Sequence, residues 1–227
     1  ILPEATLTRY GRRITDLAEP LDGPFVTGLA EAAKESGLSV VAGVFETGPG
    51  RVYNTAVALD ETGTLLAAYR KIHLFDSFGS KESELVLPGE EPVVVELAGL
   101  RVGLITCYDV RFPELGRALT DLGADLFAVI AAWGSGPMKE EHWATLVRAR
   151  AIENTTWVAA VGQAPNPETA DGFGIGRSML VDPMGVVHTD LGTTPAVRTC
   201  VFDPQITIAT RNSLPCLEHR RLQVGRS

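Results

Sequence analysis

Residues 101–115 read RVGLITCYDVRFPEL and divide into three parts. Residues 102–106 are a short apolar run of the kind that fills a buried strand. Cys107, Tyr108 and Asp109 stand where that strand ends. Phe112, Pro113, Glu114 and Leu115 then open a helix, with proline near the first helical position and an acid in the first turn. The sequence thus predicts a thiol at a strand-to-helix corner, just ahead of a helix N-terminus, where partial positive charge favours the thiolate. The same context suits a buried cysteine that acts as a small hydrophobe. The local sequence leaves both open.

The bulk of the chain narrows the choice. Its 227 residues, 45% hydrophobic, are enough for one domain with a large core. A net charge of −8 without a basic stripe argues against nucleic acid as the main partner. The short basic tail from His219 to Arg226 does not change that. No apolar run is long enough to span a membrane. The three cysteines, Cys107, Cys200 and Cys216, are odd in number, widely spaced and without a CxxC pair. That excludes a disulfide framework or a zinc site as the organising device and points to the cytoplasm. The opening Ile1-Leu2-Pro3-Glu4, without Met, leads us to expect a further N-terminal segment in the natural protein.

Outward from the central stretch, strand and helix patterns alternate. Residues 1–5 read as the end of a strand running into a loop. Glu4 there is either a solvated loop carboxylate or an acid facing a site, since ligands in layered α/β folds gather at strand ends. In residues 16–36, Leu17, Leu21, Phe25, Leu29 and Ala33 recur at fours, with a break and restart at Gly23-Pro24 and a stop at Gly37. Residues 39–46, 52–60 and 64–69 are expected to be three hairpin-joined strands. In residues 69–76, YRKIHLFD, charges interleave with apolar side chains, so Lys71 is either a solvated strand end or an inward, paired group.

A hairpin is expected across Ala98-Gly99, and helices over 113–122 and 139–154. The second of these has Trp143, Leu146, Val147, Ala151 and Ile152 on its apolar face. Strands are expected over 126–132, 156–162, 176–182, 186–189 and finally 197–202, with a polar loop at 163–175 and a helix beginning at 204–211. Arg148, Arg150 and Glu153 read as a salt-bridged solvent face. Strands apolar on both sides argue for an α/β fold whose sheets are covered by helices.

Several segments together resemble the nitrilase superfamily of carbon–nitrogen hydrolases, nearest its ω-amidase and deaminated-glutathione-amidase-like branch. They are LPEATLTRYG, YRKIHLFD, a loop with KESE and LPGE, GLITCYDVRFPEL, HWATLVRARAIENTTWVAAVGQ and GRSMLVDPMGVV, in the expected order over nearly the whole chain. The resemblance implies a four-layer α-β-β-α sandwich over residues 1–227. It also implies a first strand and helix ahead of the Glu motif, which this chain does not carry. It implies a Glu-Lys-Cys triad that falls on Glu4, Lys71 and Cys107, with a second acid supporting the lysine at Glu82 or, in a shifted register, Glu84. It implies a homo-oligomer, commonly a dimer, and no cofactor.

In the chemistry so implied, Cys107 attacks an amide carbonyl and Glu4 carries protons. The latter role suits a carboxylate whose pKa is raised by burial. Lys71 and the Tyr108 N–H would stabilise the oxyanion. Arg111 stands near enough to receive a substrate carboxylate, or else anchors the helix corner. Tyr108, Trp133 and Gln163 are candidate pocket walls by position. His73, His142, His188 and His219 are not spaced as metal ligands, and no metal is expected. An amidase for a small linear amide is the leading expectation. An N-carbamoyl-amide or nitrile hydrolase of the same superfamily, or a non-catalytic binding module with this fold, are the alternatives.

Overall fold

The computed structural model describes residues 1–11, 13–166 and 173–222. Residue 12, part of the predicted 163–175 loop and the end of the basic tail lie outside them. The first half of the chain builds one sheet. After a single helical turn, α1 (Ile14–Leu17), helix α2 (Pro24–Ser36) starts on its proline and stops where Gly37 adopts φ +63° and returns its N–H to Ala33. Strands β1 (Val40–Thr47), β2 (Val52–Leu59) and β3 (Leu65–Arg70) then pair as antiparallel neighbours. A two-residue strand, β4 (Val86–Leu87), joins β2 in parallel inside a segment the sequence suggested was loop.

The second half builds a six-stranded sheet. The hairpin of β5 (Val94–Leu97) and β6 (Leu100–Thr106) leads through a 3-10 turn at Cys107–Arg111 into α3 (Pro113–Asp121). Then come β7 (Leu126–Ala131), α4 (Lys139–Asn154), β8 (Trp157–Gly162), β9 (Met179–Val181), β10 (Val187–Asp190) and α5 (Pro204–Ser213). The order across the sheet is β10-β9-β8-β7-β6-β5, with β6, β7 and β8 parallel.

Period-2 alternation assigns the faces. Val41 of β1 and Ala56 and Ala58 of β2 pack toward the second sheet, in one core with Leu104, Ala128 and Ile130. Their alternates Ala42, Val44, Val57 and Leu59 meet Val26, Phe25 and Leu29 of α2. On the far side α3 and α4 cover the second sheet with Leu115, Leu119, Trp143, Val147 and Ala151. The result is the four-layer helix–sheet–sheet–helix sandwich. Among the described residues no helix is long and apolar enough to cross a membrane.

Two expectations need correction. Residues 197–202 are not a strand: Val197 is fully exposed and Val201 nearly so, and the segment joins neither edge of a sheet. Apolar alternation without a partner edge does not make a strand. Arg150 is not on a solvent face either. It is buried, and its Nε donates to the Val110 carbonyl at 2.8 Å. Ile152, placed on the apolar face by spacing, is exposed instead, and Asn154 is buried. The inner face of α4 is therefore partly polar because it supports the turn that carries Cys107.

Candidate active site

Four separate segments meet where the two sheets end. Residues 1–6 lie along β1, with Leu2 N–H on Val41 O (2.8 Å), Gly43 N–H on Pro3 O (3.2 Å) and Thr6 N–H on Gly43 O (2.9 Å). The approach is close enough that a β-carbon on Gly43 would stand 2.6 Å from Glu4 Cα, so only glycine fits there. Lys71 follows the last residue of β3, its N–H held by Asn54 O at 2.8 Å. Glu82 sits in a 3-10 turn just before β4. Cys107 ends β6 with φ +49°, a left-handed conformation that costs a non-glycine residue of order 1 kcal/mol and turns the thiol out of the strand.

The charged groups bond one another directly. Lys71 Nζ donates to Glu82 Oε2 at 2.8 Å and to Glu4 Oε1 at 3.2 Å, and all three side chains are buried. Asn54 Nδ2 bridges the same two carboxylates, at 2.7 Å to Glu4 and 3.1 Å to Glu82. Backbone N–H groups complete the set: Ala132 donates to Glu4 Oε2 and Phe75 to Glu82 Oε2, each at 2.6 Å. Glu82, rather than Glu84, faces the lysine; Glu84 lies outside beside Lys81. The thiol of Cys107 and the Glu4 carboxylate line the same cavity and act on each other electrostatically.

This arrangement fixes protonation differently from what the sequence suggested. Burial alone would raise Glu4, but Lys71, the Ala132 N–H, the Asn54 amide and the thiol outweigh it and hold Glu4 below the ordinary glutamate value. Burial and the Glu4 charge push Cys107 well above an ordinary thiol, against the pull of Lys71. The lysine, despite burial, is raised by Glu4 and Glu82. The resting site is thus a neutral thiol beside a carboxylate and an ammonium, with no free thiolate from the helix end.

A third carboxylate, that of Asp109, holds the nucleophile's turn in place. Asp109 accepts from Tyr69 Oη (2.7 Å), the Thr106 N–H (3.1 Å), the His73 N–H (2.9 Å) and His73 Nδ1 (2.8 Å). It ties the lysine's segment to the cysteine's turn, and Arg150 braces that turn from α4. His73 is therefore structural, stacked on Phe112 with ring centroids 3.6 Å apart.

Above Cys107 opens a cavity of about 260 Å³ whose walls include Tyr108, Arg111 and Trp133, as well as Tyr10, Phe75 and Lys139. Gln163 is not among the wall residues; its backbone pairs with Ala131 and Gly176. The sequence reading missed Asn54, Tyr10, Phe75 and Lys139. The available signal for Asn54 was an amide in the middle of the apolar strand VYNTAVAL.

Comparison with known proteins agrees with this fold. The family model for carbon-nitrogen hydrolases matches residues 1–212. A hydrolase of Mycobacterium tuberculosis is 44% identical over 97% of this chain and 82% of its own length. The deaminated glutathione amidase of Escherichia coli O157:H7 is 37% identical over 97% of this chain and 84% of its own. A carbon–nitrogen hydrolase superfamily protein of Xanthomonas campestris, solved with an arsenic adduct in its active site, superimposes with a TM-score of 0.88 at 29% identity, over 99% of this chain and 85% of that one. The resemblance read from the motifs therefore extends through the whole fold, and the chain belongs to the carbon–nitrogen hydrolase family.

Proposed function

We propose that the protein hydrolyses a small linear amide, one carrying a second carboxylate, to the corresponding acid and ammonia through a thioester on Cys107. The observation that carries the reading is the hydrogen-bonded set of Glu4, Lys71 and Glu82 beside a thiol that lines the same cavity. The amidase name of the Escherichia coli relative supports it.

The chemistry follows from the protonation states. Glu4 takes the thiol proton as sulfur bonds the carbonyl carbon, so a free thiolate is never needed. Negative charge then develops on the carbonyl oxygen, where Lys71 Nζ and the Tyr108 N–H stabilise it; one such donor contributes roughly 3 kcal/mol. Collapse expels the amine, which takes the proton from Glu4 and leaves as ammonia. Water, deprotonated by Glu4, attacks the thioester, and the second collapse returns the proton to sulfur. Glu82 keeps Lys71 charged, and Asn54 holds both carboxylates and the Lys71 backbone in place. The functional protein is further expected to be a homo-oligomer.

Ammonia release from a panel of ω-amides, N-carbamoyl compounds and nitriles, beside Cys107→Ala, tests the reading. Release from amides that vanishes in the variant is expected. Release from nitriles or carbamoyl compounds alone would move the protein to another branch. No release, with no preferential alkylation of Cys107 over Cys200 and Cys216, would favour a binding module.

A further inference from the structure

Lys139 breaks a local rule. It is the first residue of α4, a 16-residue helix, where the positive end of the helix dipole disfavours a cation. The acid beside it does not compensate, since Glu140 turns to Arg177 at 3.1 Å. Instead the ammonium reaches into the cavity and rests on aromatic faces: Nζ lies 4.1 Å from the centroid of Phe78 and 5.1 Å from that of Phe75. Arg111, which lines the cavity together with Lys139 and the carboxylate-paired Lys71, lies over Trp133 at 4.8 Å. Among the described residues no carboxylate lies within ion-pair distance of Lys139 or Arg111.

Two half-buried cations sharing one pocket repel each other and lose hydration, and both burial and the nearby Arg111 lower Lys139 below the ordinary lysine range. Aromatic faces recover only part of that loss. The backbone around the group is rigidly set, because Trp133 Nε1 donates to the Lys139 carbonyl at 2.9 Å. A positive charge held at a helix start, without a partner and facing a cavity, is arranged for an anion that arrives from outside.

We propose that Lys139 is a specificity-determining residue that, with Arg111, binds the anionic group at the far end of the substrate. The inference rests on the amidase reading for its substrate, and it explains why that substrate is anionic. Recognition by two cations restricts turnover to amides whose other end carries a carboxylate and whose chain length lets both ends bind at once. A neutral amide of the same length forfeits the charge-assisted bonds.

The test uses the monoamide of glutaric acid and its neutral counterpart pentanamide, with the wild type, Lys139→Met and Lys139→Arg. We expect the wild type to favour the anionic amide. Lys139→Met should reduce kcat/KM for it, chiefly through KM, by about tenfold or more relative to the change for pentanamide. Lys139→Arg should retain most of the preference. A second readout does not depend on turnover: glutarate should protect Cys107 from iodoacetamide, and Lys139→Met should need about tenfold more of it. Equal losses on both amides together with unchanged protection would overturn the proposal while leaving the amidase reading intact. Lys139-dependent protection without hydrolysis of any amide would sustain the anion site and remove the amidase reading.

Discussion

Arg70 and Lys71 are adjacent at the end of β3 and meet opposite fates. Arg70 points outward, its side chain 45% exposed, with its guanidinium on Glu46 and over the Tyr53 ring at 4.0 Å. Lys71 points inward, 2% exposed, between Glu4 and Glu82. The outer pair is one cation against one carboxylate, with water reaching the guanidinium while Glu46 itself is buried. The inner cluster is one cation against two carboxylates, dry, beside a thiol. An ion pair serving only stability has no reason to bury an excess charge, because desolvation exceeds what the pair returns. The unbalanced negative charge makes sense as a proton acceptor held ready for Cys107.

Substitutions separate the two more sharply than inspection does. The largest effect is expected from Glu4→Gln, which keeps the shape but removes the base and, because both carboxylate oxygens accept here, turns one acceptor into a donor facing a donor. kcat should fall by about 10²–10⁴-fold, with a smaller loss of stability, about 1–3 kcal/mol, from the mismatched buried contact. Because Glu4 is held below the ordinary glutamate value, the acid limb of kcat/KM should lie below about pH 4.3. The sign for stability is the same: a depressed carboxylate stabilises the fold above its unfolded pKa, and that contribution is lost as pH falls through the folded one. With Cys107 and Lys71 both raised, no alkaline inflection near an ordinary thiol value, about 8.5, is expected in the alkylation rate. An inflection there would mean that the thiolate forms without Glu4.

Next comes Lys71→Met, which should cost about 10²–10³-fold in kcat and also destabilise the fold by about 3–5 kcal/mol, since it strands two buried carboxylates. Urea unfolding beside ammonia release checks both halves. The smallest effect belongs to the outer pair. Arg70→Met leaves the buried Glu46 carboxylate with Thr55 as its remaining side-chain partner and should cost about 1–3 kcal/mol, less than Lys71→Met, while leaving kcat within about twofold. A loss of activity there comparable to that of Lys71→Met would erase the distinction.

Much of this was legible in the chain. The caps of α2, the hairpin turns and the starting residues of α3 and α4 are local chemistry, and they stand where the sequence puts them. The motifs named Glu4, Lys71, Glu82 and Cys107, and the fold brings them to one place because Lys71 and Cys107 follow strands directly while Glu4 lies along β1 and Glu82 in the turn before β4. What failed was whatever depends on a distant partner. The protonation of Glu4 is decided by Lys71, Ala132 and Asn54, none of them near it in sequence. Arg150 looked solvent-facing because helical spacing cannot show a carbonyl, Val110 O, waiting forty residues upstream. Residues 197–202 have strand composition, yet strand formation is a property of two segments, not one.

The bond from Ala132 N–H to Glu4 Oε2 spans 128 positions of the chain, and that from Lys71 to Glu4 spans 67. Neither sheet alone contains the base and the nucleophile together. During refolding, hairpins of the first sheet can zip early because their contacts are local, whereas the seam between the sheets closes only after the most non-local contacts have formed. Return of catalysis therefore reports the final docking event, and a stopped-flow trace of activity should lag the far-ultraviolet circular dichroism signal of the same sample.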